Sequence, residues 1–112
     1  MMEQEITGIK VQKRNPDRVS IYLDGEYAFG LSRIVAAWLS IGQHLSEEKI
    51  EGLRAKDGNE VAYQRALRLI SHRPRTRKEI EQKLVEKGFD STQAQAVIAR
   101  LAEAGLVEDR EF

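Results

Sequence analysis

The stretch ALRLISHRPRTRKEIEQKLVEKGFDSTQAQAVIARLAEAGLVEDREF, residues 66–112, decides the fold of the C-terminal half of the chain. Thr76 followed by Glu79 forms the pattern of a capping box, in which each residue bonds the backbone of the other at the start of a helix. Gly88 and Gly105 stand where helical patterns end, as glycine does at C-terminal caps. The stretch therefore predicts short helices separated by tight turns.

Three helices are predicted in this half of the chain. The first covers residues 60–71 and ends before Pro74, because the residue preceding a proline is pushed out of the helical region. The second begins at Thr76, and the third runs from Thr92 to Ala104. A further helix is expected to begin with Asp109 as its N-cap. Because the chain stops just after that helix opening, we expect it to be the front part of a longer protein.

Apolar residues at helical spacing define the face that each of these helices buries. The side chains predicted to point inward are Ala62, Ala66, Leu69, Ile70, Ile80, Leu84, Val85, Ala94, Val97, Ile98 and Leu101. Helices this short are marginal in isolation, so that packing against one another must stabilise them. The pattern indicates one three-helix module.

The N-terminal residues are predicted to form an antiparallel β-meander. Apolar and polar residues alternate through residues 9–12 and 19–23, as half-buried strands require. Asp24-Gly25 is a two-residue hairpin signal, since both central positions of a type I′ turn need positive φ. A third strand from Glu26 to Phe29 would complete the sheet.

Helical patterns follow the predicted strands. One stripe of a helix is formed by Leu31, Ile34, Val35, Trp38 and Leu39. We expect this helix to cover the sheet, with Trp38 in the core. Ser46 is predicted to cap a second helix that continues to about Lys56. Asp57-Gly58-Asn59 is predicted to be a turn and the boundary between two lobes.

The predicted fold class is α+β. Residues 1–58 are expected to form a small N-terminal antiparallel β-meander with helices, and residues 59–112 a three-helix repeat module similar to a helix-turn-helix.

Composition argues against most enzyme classes. The chain has no cysteine, so thiolate metal sites and a cysteine nucleophile are excluded. His44 and His72 lie in unrelated segments without the spacing of a zinc site. The sequence contains no Gly-rich phosphate loop, nucleophile elbow or dinucleotide fingerprint. We therefore predict a protein that is not an enzyme and that needs no cofactor, metal ion or small-molecule substrate.

The remaining composition indicates a soluble, cytoplasmic protein. No apolar run approaches the roughly 20 residues that a membrane span needs, so no membrane association is expected. The leading residues MMEQEITG lack the basic and apolar regions of a signal peptide. The formal net charge is zero, which disfavours a protein that coats nucleic acid by bulk charge alone.

Residues 61–78 carry six cations and no acid, and we name these six residues the basic elbow. Its members are Arg65, Arg68, Arg73, Arg75, Arg77 and Lys78. In one interpretation they contact nucleic-acid phosphates beside a helix N-terminus. In a second they dock on an acidic protein surface, because arginine pairs well with carboxylates. In a third they only stabilise the fold, with Arg73 and Arg75 pairing to acids such as Glu79 or Glu108.

The third predicted helix disfavours one kind of nucleic-acid recognition. Its exposed side chains are expected to be mainly Gln93, Gln95, Arg100 and Glu103. This is a sparse set for contacts to base edges, so sequence-specific reading of DNA is disfavoured. Nonspecific phosphate contact and protein docking both stay open.

Residues 66–112 resemble the first helical repeat of the RecX family, which are bacterial regulators of the RecA recombinase. The matching positions are Ala66, Leu67, Ile70, Ser71, Arg73, Arg75, Thr76, Glu79, Ile80, Leu84, Lys87, Gly88, Phe89, Val97 or Ile98, Leu101, Gly105, Leu106, Val107, Asp109 and Phe112. The segments DGEYAFGL at 24–31 and IGQHLS at 41–46 are also similar to N-terminal segments of the family.

The resemblance implies a function for the basic elbow. Members of the family bind in the groove of the RecA–DNA filament and inhibit recombination and ATP hydrolysis. Their fold is a curved array of three-helix repeats, usually three, whereas this chain carries only one. The expected partner is therefore the RecA filament, with DNA contacted mainly through its phosphates. The alternative function is that of an independent, nonspecific DNA-binding module.

Overall fold

A computed structural model describes residues 3–107 of the chain. It contains four strands: β1 (Gln4–Val11), β2 (Arg18–Leu23), β3 (Glu26–Ser32) and β4 (His44–Leu45). The strands pair antiparallel in the order β3-β2-β1-β4. The helices are α1 (Arg33–Ala36), α2 (Glu47–His72), α3 (Arg77–Glu86) and α4 (Ser91–Glu103). A sheet followed by helices confirms the predicted α+β class.

The chain divides after Gly58 into two compact units. Each unit has its own apolar cluster, and we describe the units separately. That each of them is an independent domain stays a prediction. No helix within residues 3–107 is both long and apolar enough to cross a membrane.

Strands β1, β2 and β3 form the antiparallel meander that the sequence predicts, and β4 adds a fourth strand that was not predicted. Asp24 and Gly25 have φ angles of 50° and 85°, so the β2–β3 hairpin has the positive φ values that its dipeptide indicates. One side of the sheet is apolar and packs with residues of α1, β4 and α2. The buried residues of this cluster are Ile6, Val19, Ile21, Leu23, Phe29, Leu31, Ala36 and Leu45.

The predicted helix over residues 31–39 is wrong in its extent and its buried face. Strand β3 continues to Ser32, and Leu31 is a buried strand residue opposite Val19. Helix α1 then has only four residues, of which Ala36 is buried. With that face inward, Trp38 points away from the core and is 90% exposed. The apolar stripe was misassigned because its first member belongs to the sheet.

The predicted turn at Asp57-Gly58-Asn59 is also wrong, because α2 is one helix of 26 residues that continues through this segment. The carboxylate of Asp57 accepts hydrogen bonds from Arg18 and Ser32 instead of from neighbouring backbone, which removes the local reason for a turn. The predicted cap is confirmed, since the Ser46 hydroxyl accepts the N–H of Lys49 at 3.2 Å.

The second unit is a helical module with a continuous apolar core. Its buried residues are Ala62, Ala66, Ile80, Leu84, Ala94, Val97, Ile98, Leu101 and Val107. Leu69 and Ile70, also predicted to point inward, are half-buried. Val85 was expected to be buried as well but is 48% exposed, because Ile80 and Leu84 set the inward face of α3. The glycines that end α3 and α4 have positive φ, as helix-ending glycines do. The N-cap predicted at Asp109 lies outside the described residues.

Candidate interaction surface at the basic elbow

The basic elbow extends over the end of one helix, a connector and the start of the next. Arg65 and Arg68 lie three residues apart on α2, and therefore on neighbouring positions of its surface. Arg73 and Arg75 lie in the connector, and Arg77 and Lys78 are the first two residues of α3. All six belong to the second unit.

Two of these cations share one carboxylate. The Nη2 of Arg73 lies 2.8 Å from Oε2 of Glu79, and the Nη1 of Arg75 lies 4.0 Å from the same oxygen. Arg73 also donates from Nη1 to the carbonyl oxygen of Pro74 at 3.2 Å. The pairing with Glu79 is therefore present, as predicted by the interpretation in which these cations only stabilise the fold. Glu108 lies outside the described residues.

Glu79 also holds the start of α3. Its backbone N–H donates to the Thr76 hydroxyl at 3.1 Å, and its side chain accepts the Thr76 N–H, so the predicted capping box is confirmed. The hydrogen bond from Arg73 and then that from the Thr76 backbone lower the pKa of Glu79 below its ordinary value. A carboxylate whose pKa is lowered in the folded state stabilises the fold at any pH above its ordinary pKa. This stabilisation is lost as the pH falls through the lowered pKa. At neutral pH, Glu79 therefore neutralises part of the charge of Arg73 and Arg75.

The cations of the basic elbow that stay available for binding a partner lie on α2 and α3. Arg68 and Lys78 are exposed, and Arg65 is half-buried. Within residues 3–107, none of these three residues forms an ion pair. Lys78 and Arg77 also stand at the positive end of the α3 dipole, where a cation is electrostatically unfavourable unless an anion lies nearby. The charges of Arg65, Arg68 and Lys78 can therefore pair with a partner without giving up a contact to Glu79.

Three of the polar side chains of α4, those of Gln93, Gln95 and Arg100, make contacts within the second unit. Gln93 completes a second capping box with Asp90, and the Gln95 amide donates to Glu81. That α4 does not read DNA sequence stays a prediction.

Arg100 takes part in a contact that the sequence did not reveal. Its Nη1 lies 3.1 Å from Oε1 of Glu60, and its guanidinium carbon lies 3.6 Å from the centre of the Tyr63 ring. Gln64 donates to the other carboxylate oxygen of Glu60. Arg100 is exposed, as predicted, and it also connects α4 to α2 through these contacts. No local sequence signal links residues 40 positions apart.

The cap of α3 is expected to contribute measurably to stability. Replacing Thr76 with alanine removes the hydroxyl that accepts the Glu79 N–H, and should lower the free energy of unfolding by about 1 kcal/mol. The matched control is Ser91→Ala, which removes a hydroxyl from the first residue of α4 without touching its cap, Asp90. Urea unfolding followed by far-UV circular dichroism measures both variants. Equal midpoints for Thr76→Ala and the wild type would contradict the role of the cap.

Within residues 3–107, no group of three or more His, Cys, Asp or Glu side chains could hold a metal ion. Fold and surface together define a small α+β protein of the three-helix-module class, with a cationic connector between two of its helices.

Comparisons with known proteins give the family. Residues 4–46 match the regulatory protein RecX N-terminal domain, and residues 62–101 match the RecX first three-helix domain. The two matches lie in sequence order and leave only short segments uncovered. The chain belongs to the RecX family of regulatory proteins.

Individual relatives agree with this assignment. The chain is 31% identical over 110 residues to the regulatory protein RecX of Clostridium botulinum, covering 96% of this chain and 52% of that protein. It is 36% identical over 109 residues to the corresponding protein of Leuconostoc citreum, covering 96% of this chain and 41% of the relative. A crystal structure of regulatory protein RecX superposes with a TM-score of 0.83 at 31% identity, covering 95% of this chain and 53% of that one. The chain thus spans about half the length of these relatives.

Proposed function

We propose that this chain is a regulator without enzymatic activity, which binds the RecA recombinase filament and inhibits its activity in recombination and DNA repair. Membership of the RecX family supports a regulatory role. The acid-free run of cations in residues 61–78 supplies the surface that such binding needs. A cytoplasmic location follows from the proposed partner.

The proposed contact uses the cations that the fold leaves accessible. Arg68 and Lys78 are exposed and form no ion pair within residues 3–107, so they supply most of the free charge. Arg65 and Arg77 add positive charge from half-buried positions. Carboxylates or phosphates on a filament would pair with these groups, and such complementarity raises both association rate and specificity.

Arg73 and Arg75 have a different part in this proposal. Because both contact Glu79, they fix the shape of the connector at the start of α3. Their outward charge is partly neutralised, so they contribute to binding mainly by positioning Lys78 and its neighbours. Reversing their charges would also break the contacts to Glu79 and would not separate folding from binding.

The decisive experiment measures RecA ATP hydrolysis and strand exchange with the wild type and with Arg68→Glu/Lys78→Glu. We expect the concentration for half-inhibition to rise about tenfold or more, because two favourable charges become repulsive. The matched control is Lys49→Glu/Lys56→Glu, which makes the same change of charge at exposed positions of α2 outside the elbow. Unchanged inhibition by the elbow variant would remove Arg68 and Lys78 from the mechanism.

The second candidate function is nonspecific DNA binding. The observation that favours it is the pair of cations, Arg77 and Lys78, at the N-terminus of α3, where backbone N–H groups also attract phosphate. It predicts binding to DNA without recombinase, with an affinity that falls steeply as salt rises. No binding to DNA at low salt would reject this candidate.

A further inference from the structure

Three large apolar side chains lie exposed close together in the sequence of the first unit. They are Ile34, Trp38 and Ile41, with exposures of 65%, 90% and 67%, and we name them the Trp38 patch. Residues 33–37 have helical backbone, so Ile34 and Trp38 lie one turn apart on the same side of the chain. This places an exposed aliphatic side chain beside an exposed indole, which is typical of an interaction surface, and Ile41 follows three residues after Trp38 in the sequence.

The backbone that carries the Trp38 patch is held by hydrogen bonds. The N–H of Gly42 donates to the carbonyl oxygen of Ile6 at 2.8 Å. The N–H of Ile6 donates to the carbonyl oxygen of Gln43, also at 2.8 Å. The N–H of Leu39 donates to the carbonyl oxygen of Ala36 at 3.0 Å. Ala36 is also buried in the core of the first unit. The patch is therefore presented on a defined scaffold, which reduces the entropy lost on binding.

The charge around the Trp38 patch selects the kind of partner. Residues 27–46 contain no aspartate or glutamate, and Arg33 immediately precedes Ile34. Within residues 3–107, the Arg33 guanidinium donates only one long hydrogen bond, 3.5 Å, to the carbonyl oxygen of Pro16, so most of its donors stay available to other acceptors. Tryptophan and arginine are the residues that most often dominate protein interfaces. Two of the three patch residues are aliphatic, which favours a protein surface over stacked bases.

We propose that the Trp38 patch is a second docking surface, which binds a protein whose contact region is apolar and edged by carboxylates. This inference rests on the proposed function, in which that protein is the RecA filament. Trp38 enters an apolar recess of the partner, Ile34 and Ile41 exclude water around it, and Arg33 pairs with a carboxylate at the edge.

The test uses the fact that Trp38 is the only tryptophan of the chain. We label the 112-residue chain with 5-fluorotryptophan and record its single 19F resonance with and without RecA filaments on single-stranded DNA. Binding affinity is measured in parallel for the wild type, Trp38→Ser, Arg68→Glu/Lys78→Glu and the control Val85→Ser, which removes an exposed apolar residue of α3. We expect the resonance to shift on binding and Trp38→Ser to weaken binding about thirtyfold or more. Val85→Ser should bind as the wild type does.

The other outcomes separate the two proposals. If the wild type binds the filament while its 19F resonance stays unchanged and Trp38→Ser binds equally well, the patch proposal is overturned and the proposed function stands. If the wild type does not bind the filament at all, the proposed function fails and this inference fails with it. A wild-type dimer in sedimentation that Trp38→Ser converts to monomer would assign the patch to a second copy of the chain and overturn the proposal. Because Trp38 lies outside the core, far-UV circular dichroism should show that Trp38→Ser is folded.

Discussion

Replacing Asp57 with alanine is expected to lower the free energy of unfolding by about 2–4 kcal/mol, because it removes one carboxylate on which four hydrogen bonds converge. Arg18 donates to it from Nη1 at 3.4 Å and from Nη2 at 3.0 Å. The backbone N–H and the hydroxyl of Ser32 donate at 2.6 Å and 2.7 Å. Asp57 therefore connects α2 with the end of β3 and the start of β2, and its loss leaves partly buried donors without an acceptor.

Urea unfolding followed by far-UV circular dichroism measures this effect. Glu51→Ala is the matched control, since it removes a carboxylate from an exposed position of the same helix and should change the free energy of unfolding by less than about 0.5 kcal/mol. If Asp57→Ala unfolds at the same urea concentration as Glu51→Ala, the four hydrogen bonds do not stabilise the fold as we infer.

The difference between the wild type and Asp57→Ala should also depend on pH. Burial raises the pKa of Asp57, but hydrogen bonds from Arg18 and Ser32 outweigh burial, and the pKa lies below its ordinary value. The stabilisation is thus fully present above the ordinary pKa of aspartate, about 4, and is lost as the pH falls through the lower value of the folded state. Unfolding curves at decreasing pH should therefore converge only in acid below about pH 4.

Asp57 also shows where reasoning from sequence fails. Aspartate before glycine and asparagine is typical of a turn, because an aspartate side chain readily bonds nearby backbone. In the structure, the partners of this side chain lie 25 and 39 positions away, and α2 continues through the segment. Local patterns carry no information about such partners. The same is true of Arg100 and Glu60, whereas Arg73 and Glu79 are only six residues apart, so their pairing could be anticipated.

The first helix illustrates a second kind of failure. A helical stripe is recognised by spacing alone, and residues 31–39 have that spacing. Leu31, the first residue of the stripe, belongs to strand β3. Helix α1 then places Ala36 in the core and leaves Trp38 exposed. The hairpin at Asp24-Gly25 and the cap at Thr76 were predicted correctly because each depends on the backbone of adjacent residues. The accessible part of the basic elbow could not be separated from its paired part, because that distinction depends on side-chain geometry.

The adjacent residues Leu84 and Val85 offer the sharpest test of how α3 packs. Both are apolar and both were predicted to point inward, yet Leu84 is fully buried whereas Val85 is 48% exposed. Leu84→Ala should lower the free energy of unfolding by about 2–5 kcal/mol, since it removes buried methyl groups and leaves a cavity. Val85→Ala should change it by less than about 0.5 kcal/mol, because little contact is lost and alanine favours a helix more than valine does.

The backbone of α3 should be unaffected by either substitution. The carbonyl oxygen of Leu84 accepts the N–H groups of Lys87 and Phe89, both at 3.1 Å, and alanine keeps this oxygen in place. A difference between the two variants therefore measures side-chain packing and not the end of the helix. Urea unfolding of Leu84→Ala and Val85→Ala under the same conditions compares them directly. Equal losses of stability would mean that α3 packs through a different face than the one that buries Ile80 and Leu84.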